Sequence, residues 1–495
     1  MNVMLYEIVI KRKTLKSRKT AVIDGTKKYS YHDLKEKVDS LLILFHSLRI
    51  RKHRIIGIFL DNSIHYIALL LAIQKMRAVS LPVNTRISKA ELAKIIKQFR
   101  INCLVIGKKY LNMVEPLQPE FIRMDKDDYS IIIAKSVQSA VPAGKKSVSM
   151  ICLTSGTTGD PKGVMLSRKN LISNCRSVIH TMQITSGDSL FIIKSLYYIS
   201  SLSELFTALL LNCTIIIYSG VFLPEYIRKT AEALKPTFLC GVPVMFNLLI
   251  EYLEKKQKRF IMPGKILIVG SAANQTLIRK LLLLFPESDI YIGYGLTEAA
   301  PRVTTLKIND NLQLMHSAGK PVRGVKVRIR KNGKRGRPGE TGEICVKGRN
   351  VFAGYFNDPD AGKRKIVRSW LLTGDMGYID KDNNLFIVGR NDDIINKGGI
   401  KIAPGEIENL ISMIDGVREA AVVGEPCDMY NERIRAFVVK KKDFDFIDHR
   451  YIRQFLEKYI SAFKIPDAIE FCEALPRNAN GKITRKELLM RNKLP

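Results

Sequence analysis

A segment of ten residues, 154–163, combines glycines and side chains that could bind a polyphosphate. Its sequence is TSGTTGDPKG, and it follows VSMICL, a run typical of a β-strand. Gly156, Gly159 and Gly163 let backbone N–H groups face an anion, the hydroxyl side chains add donors, and Lys162 adds a positive charge. The order Pro-Lys-Gly differs from the Gly-Lys-Ser/Thr of a Walker A loop. The segment predicts a triphosphate-binding loop of another kind, although such a run by itself is more often a plain turn.

Five side chains further along the chain could complete a nucleotide site. Tyr294 offers a flat ring for stacking on adenine, and Glu298 offers a hard oxygen ligand for Mg²⁺. Thr297 offers a hydroxyl to the α-phosphate. Asp375, in a glycine-containing turn, could accept hydrogen bonds from both ribose hydroxyls, and Arg390 could reach the ribose or a phosphate. Taken one by one, the same residues are equally compatible with a core tyrosine, a turn former and surface charges.

Five motifs in a consistent order connect these residues to one family. TSGTTGDPKGV resembles the phosphate-loop signature of the adenylate-forming superfamily, which includes acyl-CoA synthetases, adenylation domains and luciferases. YGLTE at 294–298 resembles its aromatic-Gly-x-Thr-Glu motif, and TGD at 373–375 its TGD motif. Residues 389–407 resemble its hinge motif, and PRNANGK at 476–482 its C-terminal lysine motif. Two further matches, RIIGIFLDNSIHYIALLLAI and GVPVMFNLLI, extend the resemblance over nearly the whole chain.

The resemblance implies an ATP-dependent ligase that activates a carboxylic acid. ATP and the acid would form acyl-AMP and pyrophosphate with the help of Mg²⁺, and the acyl group would then pass to CoA with release of AMP. Lys482 would be the main catalytic residue, assisted by Thr297 and by Glu298, which would hold the metal. A cation at this point offsets the repulsion between a carboxylate and a polyanion. The implied nucleotide contacts are Thr154, Ser155, Gly156, Thr157, Thr158, Gly159, Lys162, Gly270, Ser271, Ala272, Tyr294, Gly295, Asp375 and Arg390.

The second half-reaction implies a mobile C-terminal domain and a thiol acceptor. Asp392 matches the hinge position that absorbs the domain rotation in the family. Gly398 and Gly399 would let the thin pantetheine arm of CoA pass close to the backbone. CoA is the preferred acceptor because its phosphates suit a basic surface. An acyl carrier protein on another chain is the main alternative, because carrier proteins are typically acidic.

Three further alternatives share part of this pattern. A luciferase-like oxygenase and an amide-forming ligase would share the first half-reaction only. A polyanion-binding protein with a retired active site is the alternative from a different class of function, and the five intact motifs argue against it. ATP hydrolysis that depends on a carboxylic acid would exclude it.

The residues expected to contact the acid depart from the family pattern. Many relatives carry an aromatic-His-x-x-Gly motif where this chain reads YYISS, so that Tyr198 replaces the histidine and Ser201 the glycine. Tyr198 is therefore either a gate to the acid site or a packing residue. Gly293 is small enough to leave one end of the pocket open, which favours an extended acyl chain. The pocket segments contain no acidic residue to bind an amino-acid ammonium, so we expect a fatty or aromatic acid.

Strand-like and helix-like runs alternate through most of the chain. The alternation is clear over residues 54–92, where a helix is predicted to start at Ser88, and it returns at CTIIIY, PTFLCGV, KILIVG and DIYIGYG. Between 320 and 385, short strand-like runs are separated by turns. We predict an α/β protein with a large N-terminal domain, residues 1–389, made of two α/β subdomains and a β-rich subdomain. A small mobile α+β domain, residues 390–495, would carry Lys482.

The composition is that of a folded protein with an unusual charge. The 495 residues are 46% hydrophobic and carry a formal net charge of +33, which predicts attraction to polyanions. No apolar run is long enough for a membrane span, and the first ten residues do not resemble a secretory signal. The eight cysteines lack metal-ligand spacing and fit reduced thiols. We expect a cytoplasmic protein without specific nucleic acid binding, and leave open a peripheral contact with an anionic membrane.

Overall fold

The helices of this protein pack on four β-sheets. The computed structural model describes residues 19–101, 103–114, 121–125, 128–134, 147–155, 161–258, 264–397, 400–427, 431–441, 444–477 and 483–490. The helices of this part of the chain are α1 (Tyr31–Ser47), α2 (Ile64–Lys75), α3 (Lys89–Gln98), α4 (Arg168–Met182), α5 (Ile199–Leu211), α6 (Pro224–Leu234), α7 (Pro243–Lys256), α8 (Gln275–Leu284), α9 (Pro359–Lys365), α10 (Pro404–Ile411), α11 (His449–Glu457) and α12 (Arg485–Met490).

Strands from distant parts of the chain pair with one another. In chain order they are β1 (Thr20–Asp24), β2 (Lys27–Ser30), β3 (Ile55–Phe59), β4 (Val79–Pro82), β5 (Cys103–Gly107), β6 (Phe121–Asp125), β7 (Tyr129–Ala134), β8 (Val148–Ser155), β9 (Pro161–Ser167), β10 (Ser189–Ile192), β11 (Thr214–Ile217), β12 (Phe238–Gly241), β13 (Lys265–Ile268), β14 (Asp289–Gly295), β15 (Arg302–Lys307), β16 (Lys320–Pro321), β17 (Val325–Lys331), β18 (Lys334–Arg335), β19 (Gly342–Gly348), β20 (Ile366–Val367), β21 (Trp370–Ile379), β22 (Leu385–Arg390), β23 (Ile395–Lys397), β24 (Ile400–Ile402), β25 (Val417–Cys427), β26 (Asn431–Lys440) and β27 (Ala468–Phe471).

The first sheet has the strand order β6-β7-β5-β3-β4-β8-β9, and the second has the order β16-β15-β14-β13-β12-β10-β11-β1-β2. Helices α1, α2, α4 and α5 lie between these two sheets and share one apolar core with them. Helix α2 is buried along almost its whole length, which explains why its sequence is apolar on every side. Helices α6, α7 and α8 cover the outer face of the second sheet through Ile227, Leu249 and Leu277.

Local sequence signals define where several of these helices begin. Helix α3 begins after Ser88, whose side chain accepts from the backbone N–H of Glu91 while the Glu91 carboxylate accepts from the backbone N–H of Ser88. This reciprocal capping box satisfies two of the N–H groups that a helix start leaves unpaired. Ser30 and Asp33 form the same arrangement at the start of α1. The helix start predicted at Ser88 is confirmed.

The second sheet contains a run of parallel strands whose ends define a common edge. Strands β1, β11, β10, β12, β13 and β14 are each parallel to their neighbours in this order. In sheets of this kind the loops after the carboxyl ends of the strands form the ligand crevice. Lys194, Gly241 and Gly270 all lie at or just beyond these ends.

The third and fourth sheets are mostly antiparallel. The third has the order β18-β17-β19-β21-β20, with β22 beside β21, and the fourth has the order β24-β23-β26-β25, with β27 beside β26. A short 3₁₀ turn, Asn391–Asp393, connects β22 of the third sheet to β23 of the fourth. Asp392, the predicted hinge, lies in this turn, and the domain boundary at 389/390 stays a prediction.

The predicted fold class is confirmed: two α/β units, a β-rich unit and a smaller α+β unit are all present. Among the described residues, no helix is both long and apolar enough to cross a membrane. None of the eight cysteines, all of which lie among the described residues, forms a disulfide, and six of them are buried.

Candidate active site

The hairpin of β8 and β9 presents the two ends of the predicted phosphate loop. Thr154 lies opposite Lys162 in this hairpin, and the Thr154 hydroxyl donates to the Lys162 carbonyl oxygen at 3.4 Å. Ser155 ends β8. The predicted contacts at the tip of the loop, Gly156, Thr157, Thr158 and Gly159, lie outside the described residues.

Gly163 belongs to strand β9 rather than to the phosphate loop. It pairs with Leu153, and its carbonyl oxygen accepts from the backbone N–H of Phe356 at 2.7 Å. A Cβ atom at this position would collide with the ring of Phe99 and lie 2.9 Å from Ile151. Close packing across the sheet therefore requires glycine here. The expectation that its N–H faces an anion stays a prediction.

A tyrosine that sequence reasoning missed links the phosphate hairpin to the predicted metal ligand. The Lys162 ammonium lies 5.7 Å from the ring centre of Tyr355, and the Tyr355 hydroxyl donates to Glu298 Oε1 at 2.7 Å. Burial and the neighbouring Glu298 carboxylate raise the pKa of Tyr355, so the phenol stays a donor. Glu298 is itself held by the short 3₁₀ turn Thr297–Ala299, which also contains the predicted Thr297.

The only sequence signal for Tyr355 is an aromatic residue after a glycine in AGYFN, which is too common a pattern to identify a site. Its partner Glu298 lies 57 positions away in the chain. Tertiary structure alone brings the two together.

Three predicted nucleotide contacts meet at the end of the third sheet. The Tyr294 hydroxyl donates to Asp375 Oδ2 at 2.6 Å, and Arg390 Nε lies 3.5 Å from Asp375 Oδ1. Asp375 on β21 and Arg390 on β22 are direct partners across the ladder. Burial, followed by the Asp375 charge, raises the pKa of Tyr294, so this hydroxyl is also a permanent donor. Asp375 is therefore held between a phenol and a guanidinium in an orientation set by its neighbours.

The turn around Asp375 has a defined geometry. Gly374 has φ +79°, a conformation that favours glycine. The Thr373 hydroxyl donates to the Ile344 carbonyl oxygen at 2.8 Å and accepts from the backbone N–H of Asp375 at 3.0 Å. These bonds fix the TGD turn to the neighbouring strand β19.

Four other predicted nucleotide contacts lie at the carboxyl edge of the second sheet. Gly270, Ser271 and Ala272 follow β13 and are exposed, and Gly270 has φ +93°. Gly295 ends β14, where a Cβ atom would overlap the carbonyl group of Pro301. Glycine is thus required at position 295 because the backbone of Pro301 lies so close. Gly295 is also exposed, so its backbone can contact a ligand.

The segment predicted to gate the acid is firmly anchored. Tyr198 precedes α5, its ring lies 4.3 Å from that of Tyr197, and the two hydroxyls are 3.2 Å apart. The Asn62 amide donates to the Lys194 carbonyl oxygen at 2.9 Å and accepts from the backbone N–H of Leu196 at 2.7 Å. Since the backbone is fixed on both sides of the tyrosines, only their side chains are left to act as a gate.

The prediction of an open pocket end at Gly293 is wrong. The place of a Cβ atom at Gly293 is filled by the guanidinium of Arg302, whose Cζ lies 2.8 Å from it. Arg302 begins β15, which is antiparallel to β14, so that its side chain can fold back over the glycine. In the β14–β15 hairpin, the Arg302 side chain thus fills the space that Gly293 leaves empty. An open pocket end at Gly293 no longer supports an extended acyl chain.

Beyond the tip of the phosphate loop, four further predicted site residues cannot be placed in the described geometry. Lys482, Gly398 and Gly399 lie outside the described residues, and for Asp392 only the backbone position is described. Lys482 directly precedes Ile483, which pairs with Arg477 in an isolated bridge. The roles of these four residues stay predictions.

The described residues contain no group of three or more His, Cys, Asp or Glu side chains that could hold a metal ion by themselves. Mg²⁺ sites that use phosphate oxygens need only one or two protein carboxylates. Glu298 beside the phosphate hairpin fits such a site, because its orientation is fixed by Tyr355.

Family comparison agrees with this geometry. Residues 11–356 match the model of AMP-binding enzymes, and residues 406–482 match the model of the AMP-binding enzyme C-terminal domain. The first match covers more than half of the chain. The chain therefore belongs to the AMP-binding enzyme family.

Individual relatives indicate which kind of AMP-binding enzyme this chain resembles. A 2-succinylbenzoate–CoA ligase of Bacillus cereus strain AH820 is 30% identical over 472 residues, covering 95% of each chain. ATP-bound MatB of Rhodopseudomonas palustris has a TM-score of 0.86 and 25% identity, covering 99% of this chain and 98% of its own. The o-succinylbenzoate CoA synthetase MenE of Bacillus subtilis, solved with the acyl-adenylate OSB-AMP, has a TM-score of 0.83 and 24% identity and covers 97% of each chain. The predicted superfamily and the predicted class, an AMP-forming acid–thiol ligase, are confirmed.

Proposed function

We propose that this protein is an acyl-CoA ligase that joins an aromatic carboxylic acid to CoA through an acyl-adenylate. One observation carries the proposal: Lys162, Tyr355 and Glu298, from three separate elements, form a connected group beside the phosphate hairpin. A cation and a carboxylate in this arrangement suit a metal-bound polyphosphate.

The residues of the site fit ATP and Mg²⁺. Tyr294, Asp375 and Arg390 would hold the nucleoside, and the loop after Thr154 together with Lys162 would hold the phosphates. Glu298 would hold Mg²⁺, which neutralises charge on the phosphates when bound. The B. subtilis neighbour was also solved with ATP and a magnesium ion, with a TM-score of 0.83 at 24% identity.

In the first half-reaction the acid carboxylate attacks the α-phosphorus of ATP, acyl-AMP forms and pyrophosphate leaves. Both reactants are anions, so the chain must place cations around the reacting atoms. Lys162 offers one such charge from the hairpin. Lys482 offers another from the C-terminal domain, in the role implied by its motif, and Thr297 offers a hydroxyl to the α-phosphate.

In the second half-reaction the CoA thiol attacks the acyl carbonyl carbon, a thioester forms and AMP leaves. We assign residues 1–389 to the domain that binds ATP and the acid, and residues 390–495 to the domain that moves about Asp392. Gly398 and Gly399 would line the path of pantetheine. Curated relatives named as CoA ligases support CoA over a carrier protein as the acceptor.

An aromatic acid is favoured over a fatty acid. The loss of the open end at Gly293 removes the reason for an extended acyl chain. The acid named for the B. cereus relatives, 2-succinylbenzoate, is aromatic and carries two carboxylates. It is therefore the first acid to test.

The test is mass spectrometry of the products formed from ATP, Mg²⁺ and single acids, with CoA present or absent. The acids are 2-succinylbenzoate, benzoate and decanoate. We expect acyl-AMP without CoA and acyl-CoA with it, from an aromatic acid. Turnover of decanoate alone would contradict the aromatic assignment, and acyl-AMP that CoA cannot discharge would contradict the CoA assignment in favour of a carrier or amine acceptor.

A further inference from the structure

A cluster of four buried polar side chains lies behind Gly293, and no step described above uses it. Its members are Lys194, Glu204, Cys240 and Arg302, with exposed fractions of 3%, 6%, 0% and 5%. We call it the buried charged cluster. Lys194 Nζ lies 2.6 Å from Glu204 Oε1 and 2.9 Å from Cys240 Sγ. Lys194 is thus already paired.

The cluster carries one positive charge more than it can neutralise. Burial raises the pKa of Cys240 to about 12, so the thiol is neutral. Two cations, Lys194 and Arg302, then face the single carboxylate of Glu204. Within the described part of the chain, no carboxylate lies within 4 Å of the Arg302 guanidinium. Buried charges in proteins are normally paired, so an unpaired guanidinium calls for an anion.

Buried atoms that lack a hydrogen-bond partner also point to Arg302. Arg302 Nε and Glu204 Oε2 are buried atoms without a hydrogen-bond partner in the described structure. Buried polar atoms in folded proteins are nearly always bonded, and each exception needs an explanation. A planar carboxylate matches the donors of a guanidinium in a bidentate pair.

The position of the cluster connects it to the acid site. Lys194 lies two residues beyond β10, Cys240 is near the carboxyl end of β12, and Arg302 fills the space at Gly293 near the end of β14. These strand ends form the ligand edge of the parallel sheet. Glu204 projects from α5, the helix that begins directly after the predicted gate Tyr198. The Arg302 guanidinium therefore lies against Gly293, where the sequence predicted an open end of the acid pocket.

We propose that Arg302 forms an ion pair with a second carboxylate of the substrate, so that the enzyme selects dicarboxylic acids. The inference rests on the proposed ligase function and assigns its specificity. One carboxylate of the acid is adenylated, and the other is held at Arg302. Lys194 and Glu204 act as positioning residues, because their ion pair holds Glu204 Oε1 at Lys194 rather than at Arg302.

The experiment compares acids that differ by one carboxylate. 2-Succinylbenzoate is matched with 4-oxo-4-phenylbutanoate, which lacks the ring carboxylate, and with 2-butanoylbenzoate, which lacks the chain carboxylate; glutarate is matched with pentanoate. We expect wild-type kcat/KM to be roughly 100-fold higher for a diacid than for its matched monoacids. Equal values for diacids and monoacids would overturn the proposal without any variant.

Variants test whether Arg302 is the cause of this selectivity. Arg302→Met should lower kcat/KM for the diacid by roughly 100-fold, mainly through KM, and change the monoacids by less than about threefold. Arg302→Lys should recover part of the loss, because it keeps the charge but not the bidentate geometry. Arg228→Met removes another arginine of low exposure, on α6, and should leave acid choice unchanged. An equal loss for both acids in Arg302→Met would overturn the proposal.

Calorimetric titration of the diacid in the presence of AMP separates the two proposals. Binding that is lost in Arg302→Met, without turnover, would support the role of Arg302 and contradict the ligase function. Turnover of monoacids alone would leave the ligase function standing and overturn the role of Arg302. Neither binding nor turnover of any diacid or monoacid would overturn both.

Discussion

At the scale of single residues, the site depends on side chains whose orientation is set by one or two well-defined partners. Glu298 is oriented by the Tyr355 hydroxyl, and Asp375 by Tyr294 and Arg390. Because burial raises the pKa of both tyrosines, neither loses its proton near neutral pH. The carboxylates therefore keep fixed donors while a nucleotide binds and leaves.

Replacing Tyr355 by phenylalanine removes the donor to Glu298 and keeps the ring beside Lys162. We expect the rate of ATP–pyrophosphate exchange to fall by about tenfold and the Mg²⁺ requirement to rise, because a hydrogen bond to a charged group is lost. Exchange measured over a Mg²⁺ series checks this. The matched control is Tyr378→Phe, which changes a tyrosine whose ring stacks on that of Phe386. An unchanged Mg²⁺ dependence would show that Tyr355 does not position Glu298.

Replacing Lys482 by alanine tests the role implied by the C-terminal motif. We expect acyl-AMP formation to fall by roughly 100-fold or more, because a cation near the developing charge is lost. Thioester formation from preformed acyl-AMP should fall far less, since the α-phosphate has already reacted. Both half-reactions are followed separately by mass spectrometry, with Lys486→Ala as control. Equal losses in the two half-reactions would contradict a role specific to adenylation.

At the scale of elements, the site is assembled where a hairpin, a sheet edge and an antiparallel ladder meet. The hairpin β8–β9 contributes Lys162, the end of β14 contributes Tyr294, and the β21–β22 ladder contributes Asp375 and Arg390. Each element is recognisable from its sequence. Their meeting point depends on the order of strands in three sheets.

Helix α12 packs on the fourth sheet through Leu488, and its Arg485 joins it to two neighbouring elements. Arg485 lies 3.2 Å from Asp393, next to the predicted hinge, and 2.7 Å from Glu408 on α10. Arg485→Ala would leave two partly buried carboxylates without their shared cation. We expect the free energy of unfolding to fall by about 2 kcal/mol. Urea unfolding checks this, with the exposed Arg450→Ala on α11 as control, and equal stability of the two variants would contradict it.

At the scale of the whole molecule, the net charge of +33 makes low pH unfavourable. Hydrogen bonds or ion pairs lower the pKa of several carboxylates. Among them, the backbone N–H of Ser30 lowers that of Asp33, Lys441 that of Asp415 and Arg433 that of Glu425. A lowered folded-state pKa adds stability that is complete above the unfolded-state pKa and is lost as pH falls through the folded-state value. Protonation also increases the net positive charge.

We therefore expect the urea midpoint to fall between about pH 6 and about pH 3, and to change little between about pH 6 and about pH 8. Asp33→Asn should reduce the size of the fall, because one titrating cap is removed. A midpoint that rises on acidification would contradict the assignment of these carboxylates.

The sequence by itself determined the features that consecutive residues encode. The phosphate segment, YGLTE, TGD and the alternating strands and helices could all be recognised, because each depends on neighbours within a few positions. The capping box at Ser88 is of the same kind.

Only the tertiary structure decided what lies beside these motifs. Arg302 fills the space at Gly293 because two strands fold back on one another, and Tyr355 reaches Glu298 across 57 positions. Gly163 is required by a phenylalanine that packs across the first sheet. The buried charged cluster joins residues that follow or belong to four different elements. Such contacts depend on strand order and close packing, which a linear pattern does not contain.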